Sequence, residues 1–382
     1  SNSIVGEEAR KSLGQRNTLG RFKRKMGTNT TYDAFGEEHT PESLSALLLK
    51  KLKEDSEKSI TKIEEAVVTI PANFSNEARE ATLNAAKRAG LNVKYIINEP
   101  TAAALYYAFH SGRDLDGTYA VYDLGGGTFD ISIIKVNGKE VEVLSTEGVS
   151  TLGGDDFDQA LQNLVAEEYK KQTGTALDKE DYELISAEED KKSLSRRDEV
   201  KVNIRSAGGR ATLNIERKAF EEAISSYIAQ AEMLCETAMD DINMTPSDIS
   251  EVFLVGGSSR IPCVQASVKK IFKREPVSFA NPDEVVALGA ALYAAYKSDG
   301  KSLNAIQKKS IEKISVAEIT SKFFGTLSLG YDEKRESYDR YNSIIIKKGE
   351  KIPCSKEESF FTVRENQIAV NCVVTESNTH ET

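Results

Sequence analysis

Ten residues, Val121-Tyr-Asp-Leu-Gly-Gly-Gly-Thr-Phe-Asp130, constrain this chain more than any others. With the apolar alternation of Ile131 to Val136 they read as a strand, a glycine turn and a second strand. An Asn137-Gly138 turn then predicts a hairpin into a third strand at Val141 to Leu144. Gly125, Gly126 and Gly127 leave backbone bare of side chains, so successive N–H groups are able to converge on an anion, most often a phosphate. Asp123 at the strand end is placed to hold a magnesium ion through water, and the Thr128 hydroxyl to donate to a terminal phosphate. The plainer reading of the same glycines is a tight hairpin corner and nothing more.

At 382 residues the chain has room for two or three domains and a sizeable core. Charged residues make up 29% and the net charge is −10, which argues against nonspecific nucleic-acid binding. No apolar run approaches a membrane span, and the N-terminus lacks the apolar core of a secretion signal. The expected location is the cytoplasm. Cys235, Cys263, Cys354 and Cys372 are scattered without pairing or metal spacing, as free thiols are. His39, His110 and His380 show no ligand pattern.

Residues 4 to 38 are weakly patterned, and Arg21, Lys23, Arg24 and Lys25 form a basic cluster of the kind usually found on a wet surface. Thr40-Pro41-Glu42 predicts a helix start, with Leu44, Leu47, Leu48 and Leu52 along one face. Ala66 to Ile70 reads as a buried strand stopped by Pro71. Ser75 caps a helix ending at Gly90, Val93 to Ile97 is a strand, and Glu99-Pro100 marks the next strand-to-helix boundary. Glu99 is placed there to position water or a metal ligand, or merely to cap the helix. Strands followed by helices indicate an α/β layered fold.

Further helices are predicted from Asp156 to about Lys171, from 183 to 196, and as one piece from Ala219 to about Ala238. Val252 to Val255 is a buried strand running into Gly256-Gly257-Ser258-Ser259-Arg260 and a helix. Pro282-Asp283-Glu284 opens a helix through Tyr296. Residues 298 to 315 are polar and Lys-rich, as in a linker. Strand candidates follow at Thr326 to Leu329, Ser343 to Lys347, Ser359 to Val363 and Ala369 to Thr375, an antiparallel pattern.

Two more glycine pairs have the same ambiguity as the first. Gly256-Gly257-Ser258 lets a flat ring or ribose approach the backbone, or simply serves a strand-to-helix turn; Gly153-Gly154 is equally open. Glu188, Lys191, Lys192 and Ser195 share one helical face by their spacing. That face suits a grip on adenosine, but spacing alone favours a solvated, salt-bridged surface.

Together these segments resemble the ATPase domain of the DnaK-type, seventy-kilodalton heat-shock chaperones, closely and in order from residue 4 to about 297. The residues that carry the resemblance are Asp123-Leu-Gly-Gly-Gly-Thr-Phe-Asp130, Val68-Thr-Ile-Pro-Ala72 and Ile97-Asn-Glu-Pro-Thr-Ala-Ala-Ala104. Leu254-Val-Gly-Gly-Ser-Ser-Arg-Ile-Pro262, Asn281-Pro-Asp-Glu284 and Gly289-Ala-Ala291 complete the set. The resemblance implies an actin-like (ribonuclease H-like), two-lobed ATPase domain over 1–297. It further implies an interdomain linker at 298–320 and the start of an antiparallel β-sandwich substrate domain over 321–382.

By position, Lys23 resembles the lysine that helps activate the attacking water and Glu99 the carboxylate of the same water and magnesium network. Asp123 matches the metal-site aspartate, Asp130 a further acidic residue near the metal, and Gly125, Gly126, Gly127 and Thr128 the phosphate cradle. Gly154, Glu188, Lys191, Lys192, Ser195, Gly256, Gly257, Ser258, Arg260 and Asp283 correspond to the adenosine pocket. Pro71 and Arg79 match the pair that relays nucleotide state toward the linker. The implied chemistry is in-line attack of water on the γ-phosphate of ATP, with Mg2+, leaving ADP and phosphate. Implied partners are extended polypeptide clients, a J-domain co-chaperone and a nucleotide exchange factor, with no nucleic acid and no membrane.

Five departures accompany the match. The chain opens past the family's first strands and first phosphate motif, which implies weak ATP binding and slow hydrolysis. Lys192 stands where an arginine often stacks on adenine, and lysine stacks less well. Asn73, Ser75, Asn76 and Tyr95 differ from the usual J-domain surface. Ile311-Glu-Lys-Ile-Ser-Val-Ala-Glu-Ile-Thr320 replaces a more apolar linker, and Asp332 to Asn342 is longer and more charged than the family's loop. The expected function is an ATP-driven chaperone of the stress response. The alternative is a regulatory relative that binds nucleotide or a partner chaperone without cycling. An actin-fold sugar kinase lacks its catalytic aspartate segment here.

Overall fold

The computed structural model describes residues 3–379 apart from 16, 112–114, 278–280, 302, 313, 333–336 and 363. A short helix α1 (Glu7–Arg10), a 3-10 turn at Phe22–Lys25 and a hairpin of β1 (Tyr32–Ala34) and β2 (Glu37–His39) precede helix α2 (Pro41–Glu57). The start of α2 follows from its sequence. The Thr40 hydroxyl accepts from the Ser43 N–H, Ser43 answers the Thr40 N–H, and Pro41 occupies the first turn. Thr40→Ala is expected to cost about 1 kcal/mol, seen as a fall of about 2 °C in the melting temperature.

Strand β3 (Ala66–Ile70), helix α3 (Asn76–Arg88) and strand β4 (Val93–Asn98) form a parallel unit, followed by helix α4 (Glu99–His110). Ser75 caps α3 through the Ala78 N–H, and Gly90 leaves it at φ 75. The predicted apolar stripe of α2 needs correction. Leu44 is buried and Leu47 half-buried, but Leu48 and Leu52 are 38% and 55% exposed, because α3 and the 3-10 turn cover only one side of the helix. Strand β3 is likewise half-buried except at Ile70, since β4 alone pairs with it.

The main sheet begins with an antiparallel meander of β5 (Asp116–Leu124), β6 (Phe129–Asn137) and β7 (Glu140–Val149). Helices α5 (Gly154–Thr173) and α6 (Leu184–Leu194) follow, then a hairpin of β8 (Glu199–Ser206) and β9 (Gly209–Glu216). The predicted single helix at 219–238 is two, α7 (Arg217–Ala223) and α8 (Ser225–Asp240). Ile224 is fully buried where they meet, and the Ser225 hydroxyl donates back to the Glu222 carbonyl, in competition with the helix's own donors. Strand β10 (Glu251–Val255), α9 (Pro262–Phe272) and α10 (Val285–Lys297) complete this part.

Residues 298–320 contribute a capped helix α11 (Ala305–Ile311) and a strand β11 (Ser315–Ile319) that joins the main sheet beside β7. Beyond it β12 (Phe323–Asp332) pairs with β13 (Ser337–Ile346), β14 (Lys351–Ile352) adds to β11, and β15 (Val374–Ser377) adds to β12. The six-stranded order is β10-β5-β6-β7-β11-β14, and β13-β12-β15 forms a separate antiparallel sheet. The strand predicted at Ser359 to Val363 is absent among its described residues, Val363 lying outside them, and that at Ala369 to Thr375 begins only at Val374. Among the described residues neither stretch has a paired strand before Val374, and Phe361 is 93% exposed. Lys313 of the linker segment, residues 333–336 of the charged loop, and His380 lie outside the described residues.

Alternation along β5 and β6 builds two cores. Tyr122, Leu124, Ile131 and Ile133 face α5, α8 and α9; Tyr119, Val121, Ile134 and Val136 face α4 and α10. Helices on both faces leave the strand ends as the place where loops meet.

Candidate functional site

The glycine turn between β5 and β6 closes with the Gly125 N–H donating to the Thr128 carbonyl at 3.1 Å. It does not stand alone. The Gly125 carbonyl accepts from the Gly154 N–H at 3.0 Å and from Ser258 Oγ at 2.9 Å, although Ser258 is 133 positions away. The Gly126 carbonyl accepts from the Asp155 N–H at 2.8 Å and from Arg24 Nη2 at 3.3 Å. The N–H groups of Gly126, Gly127 and Thr128 find no acceptor among the described residues.

Glycine at the neighbouring positions is a matter of contact. A Cβ on Gly153 would lie 2.6 Å from the Gly126 carbonyl oxygen, and one on Gly256, held at φ 80, would lie 2.4 Å from that of Leu124. A Cβ on Gly154 would meet Ser258 Oγ at 2.5 Å. The glycine run and the two glycine pairs scattered through the sequence are therefore one contact surface. Helix α5 points its N-terminus at this surface, which adds the favourable end of a helix dipole for an anion.

Charged groups gather at the end of the same strands. Asp123 and Asp130 face each other in register across β5 and β6, 7% and 2% exposed. Lys23, from the 3-10 turn, donates to Glu99 Oε1 at 2.8 Å, and Glu99 is the first residue of α4. Burial, then Glu99 and Asp130, drive the Asp123 carboxyl well above the usual range, with Lys23 opposing. Burial and Glu99 push Asp130 up to about 7, against the N–H groups of Asn73 and Ala72 and the charge of Lys23. Half of the Lys23 side chain is exposed; its partial burial pulls the ammonium down, but Glu99, Asp123 and Asp130 together outweigh this and hold it above the ordinary lysine value. Two buried carboxyls short of positive charge are what a hard divalent cation would relieve. Among the described residues no group of three or more metal-ligating side chains is assembled; Mg2+ commonly takes only one or two carboxylates and keeps several waters.

The face of α6 divides. Lys191 is turned inward, 8% exposed, donating to the Gly154 carbonyl at 2.9 Å and pairing with Asp158 at 2.6 Å. It braces the first turn of α5. Glu188 instead pairs with Arg10 at 2.7 Å and Lys192 at 3.0 Å, and Lys192 also with Glu189. That outer half is linked by ion pairs. Ser195 caps the end of α6, its hydroxyl donating to the Lys191 carbonyl. Arg260 donates to Asp283 at 2.9 Å and to Asn281 at 2.5 Å, beside Gly257, whose Cβ position is 3.0 Å from Asp283. Pro71 is buried at the end of β3, and Arg79 is half-buried on α3, its charge acting on Glu318 of β11.

Some residues at the site carry no motif in the sequence. Arg21 and Arg24 are not a wet cluster. Arg21 pairs with Asp155 and Asp158, both at 3.0 Å, and Arg24 forks onto Asp156. Glu318 accepts from the Asn98 N–H at 3.1 Å, one residue before Glu99. The acidic run Asp155-Asp156-Phe157-Asp158 opposite a basic cluster was the available signal for the arginine pairs.

The chain matches the family model described as Hsp70 protein over residues 21–382, and it belongs to the Hsp70 family. Its fold is accordingly the actin-like, two-lobed ATPase fold of that family, with which the six-stranded mixed sheet agrees. Hsp70 proteins are chaperones and, in general, ATPases that bind ATP or ADP with Mg2+. Among the described residues no helix is long and apolar enough to cross a membrane.

Proposed function

We propose that this chain binds Mg2+-ATP at the junction of its three glycine segments and hydrolyses it, and that nucleotide state sets affinity for extended polypeptide in the DnaK manner. The observation that carries the reading is the contact of the Gly125–Thr128 turn with Gly153–Gly154 and Gly256–Ser258, beside the buried Asp123–Asp130 pair and the half-exposed Lys23–Glu99 ion pair. The N–H groups of Gly126, Gly127 and Thr128, with the Thr128 hydroxyl, cradle the β and γ phosphates. Asp123 and Asp130, with Glu99, hold the cation through water. When bound, magnesium neutralises charge on the transferring phosphoryl group.

Lys23 and Glu99 orient the attacking water, Glu99 accepting from it and Lys23 facing the oxygen that develops charge. Gly154, Gly256, Gly257 and Ser258 let ribose approach the backbone. Glu188, Lys191, Lys192 and Ser195 on one side, with Arg260 and Asp283 on the other, form the adenosine pocket. Pro71 and Arg79 relay nucleotide state toward the linker. A J-domain co-chaperone and a nucleotide exchange factor are the matching partners, and the cytoplasm the matching compartment.

The test is peptide-stimulated ATP hydrolysis by this chain and by Lys23→Ala and Thr128→Ala. Each substitution should lower turnover on the order of 10²-fold or more, the usual loss of one preorganised charge-stabilising group. Unchanged turnover in both variants sinks the site assignment. Nucleotide binding without turnover in the unsubstituted chain moves it to the regulatory reading.

A further inference from the structure

Asp123, Asp130 and Gly148 form one row across β5, β6 and β7. Glycine ends that row for a reason of space. A Cβ on Gly148 would lie 2.6 Å from Asp130 Oδ1 and 2.8 Å from the Phe129 carbonyl oxygen. Its absence leaves a notch beside the Asp130 carboxylate, and Asn73 fills it from the loop between β3 and α3. The Asn73 N–H donates to Asp130 Oδ1 at 3.1 Å, and its side-chain Nδ2 donates to the Gly148 carbonyl at 2.5 Å.

The loop is fixed on its other side too. Ala72 and Phe74 are buried, the Phe74 N–H donates to the Pro71 carbonyl, and Ser75 caps α3. Asn73 is thus where the β3–α3 unit is stitched to the main sheet, at the carboxylate that faces Asp123. The side-chain bond to Gly148 holds the backbone, and the backbone bond then fixes Oδ1 of Asp130, the carboxylate across from Asp123.

We propose that Asn73 is a positioning residue for the divalent cation, acting through Asp130 by tying the β3–α3 loop to the Gly148 carbonyl. This rests on the reading of Asp130 as a cation-side carboxylate. Outer-shell partners of this kind typically alter metal affinity 10- to 100-fold when removed.

The experiment is a Mn2+ titration of the ADP-loaded full chain, followed by the electron spin resonance of free Mn2+, for the unsubstituted protein, Asn73→Ala and Asn73→Gln. Asn73→Ala should weaken Mn2+ binding about tenfold, while ADP affinity measured without a divalent cation stays unchanged. Asn73→Gln keeps an amide donor and should recover most of the loss. It also serves should the alanine variant fail to fold. Equal Mn2+ affinity in all three overturns the proposal. So does an equal loss in both variants, which would mark Asn73 as packing only. A protein that takes up no Mn2+ with ADP at all overturns the nucleotide-site reading and the proposal with it, whereas normal uptake insensitive to Asn73 overturns the proposal alone.

Discussion

Gly289→Ala should lose folded stability and nucleotide affinity together. Helices α4 and α10 cross at this glycine so closely that a Cβ would sit 1.8 Å from the Ala102 carbonyl oxygen and 2.4 Å from its carbon. Both are backbone atoms, so no rotamer change relieves the overlap. Ala102, Ala103 and Ala104 are fully buried on α4 and Val285 on α10, which makes the crossing a seam of small residues without slack. Overpacking such a seam costs about 3 kcal/mol or more, the upper end of what an added methyl usually does. The effect reaches the site because α4 starts with Glu99, the partner of Lys23, while α10 starts two residues after Asp283, the partner of Arg260. Prising the helices apart displaces both ends. Thermal unfolding and ADP titration of the variant measure the two losses, with Leu288→Ala as control, since Leu288 is 39% exposed on the same helix. A Gly289→Ala protein that melts and binds ADP like its parent would show that the crossing is looser than described.

What could be read in advance follows from the range over which each signal acts. Period-two alternation around Gly125–Gly127 gave β5, β6 and β7, and Thr40 and Ser75 gave helix starts, because these signals are local. The alternation of Val200, Val202 and Ile204 against Ala211, Leu213 and Ile215 marks the β8–β9 hairpin by the same rule. The break at Ile224 depends on one buried side chain and one hydroxyl bond, which no periodicity reveals. At the site, glycine spacing marked three places where backbone is bare, but only tertiary contact shows that they are one place. Lys191 and Lys192 are adjacent in sequence, yet one braces α5 and the other sits among surface carboxylates. Arg21, Arg24, Asn73 and Glu318 act through partners distant in the chain, and such pairings have no signature in a single sequence. β11 is a short strand with three half-buried residues, and its place beside β7 is set by the open edge of the sheet rather than by its own composition.

The acidic row also predicts how the nucleotide-free protein responds to pH. A buried carboxyl whose proton is held up to about 7 in the folded state has a pKa near 3.9 when unfolded. Between those values the folded chain keeps a proton that the unfolded chain releases, so stability falls as pH rises through the window and levels off above it. Asp123 adds to the same slope, since it too is driven upward, first by burial. Glu147, Asp155, Asp158 and Glu318, also raised chiefly by burial, share the sign. Carboxylates held low by their partners, such as Glu188, lose their contribution only below the ordinary glutamate range and do not offset it. One group moved by about three units accounts for at most about 4 kcal/mol. The metal-free, nucleotide-free protein should therefore melt several degrees higher at pH 5.5 than at pH 8. Asp130→Asn should flatten much of that difference, because an amide has no proton to lose. Mg2+ with ADP should flatten it as well, by favouring the ionised carboxylates the cation needs. A melting temperature that drops on acidification from pH 8 to pH 5.5, with and without Asp130→Asn alike, would mean that these carboxyls are solvated in the free protein and not held against one another at the strand ends.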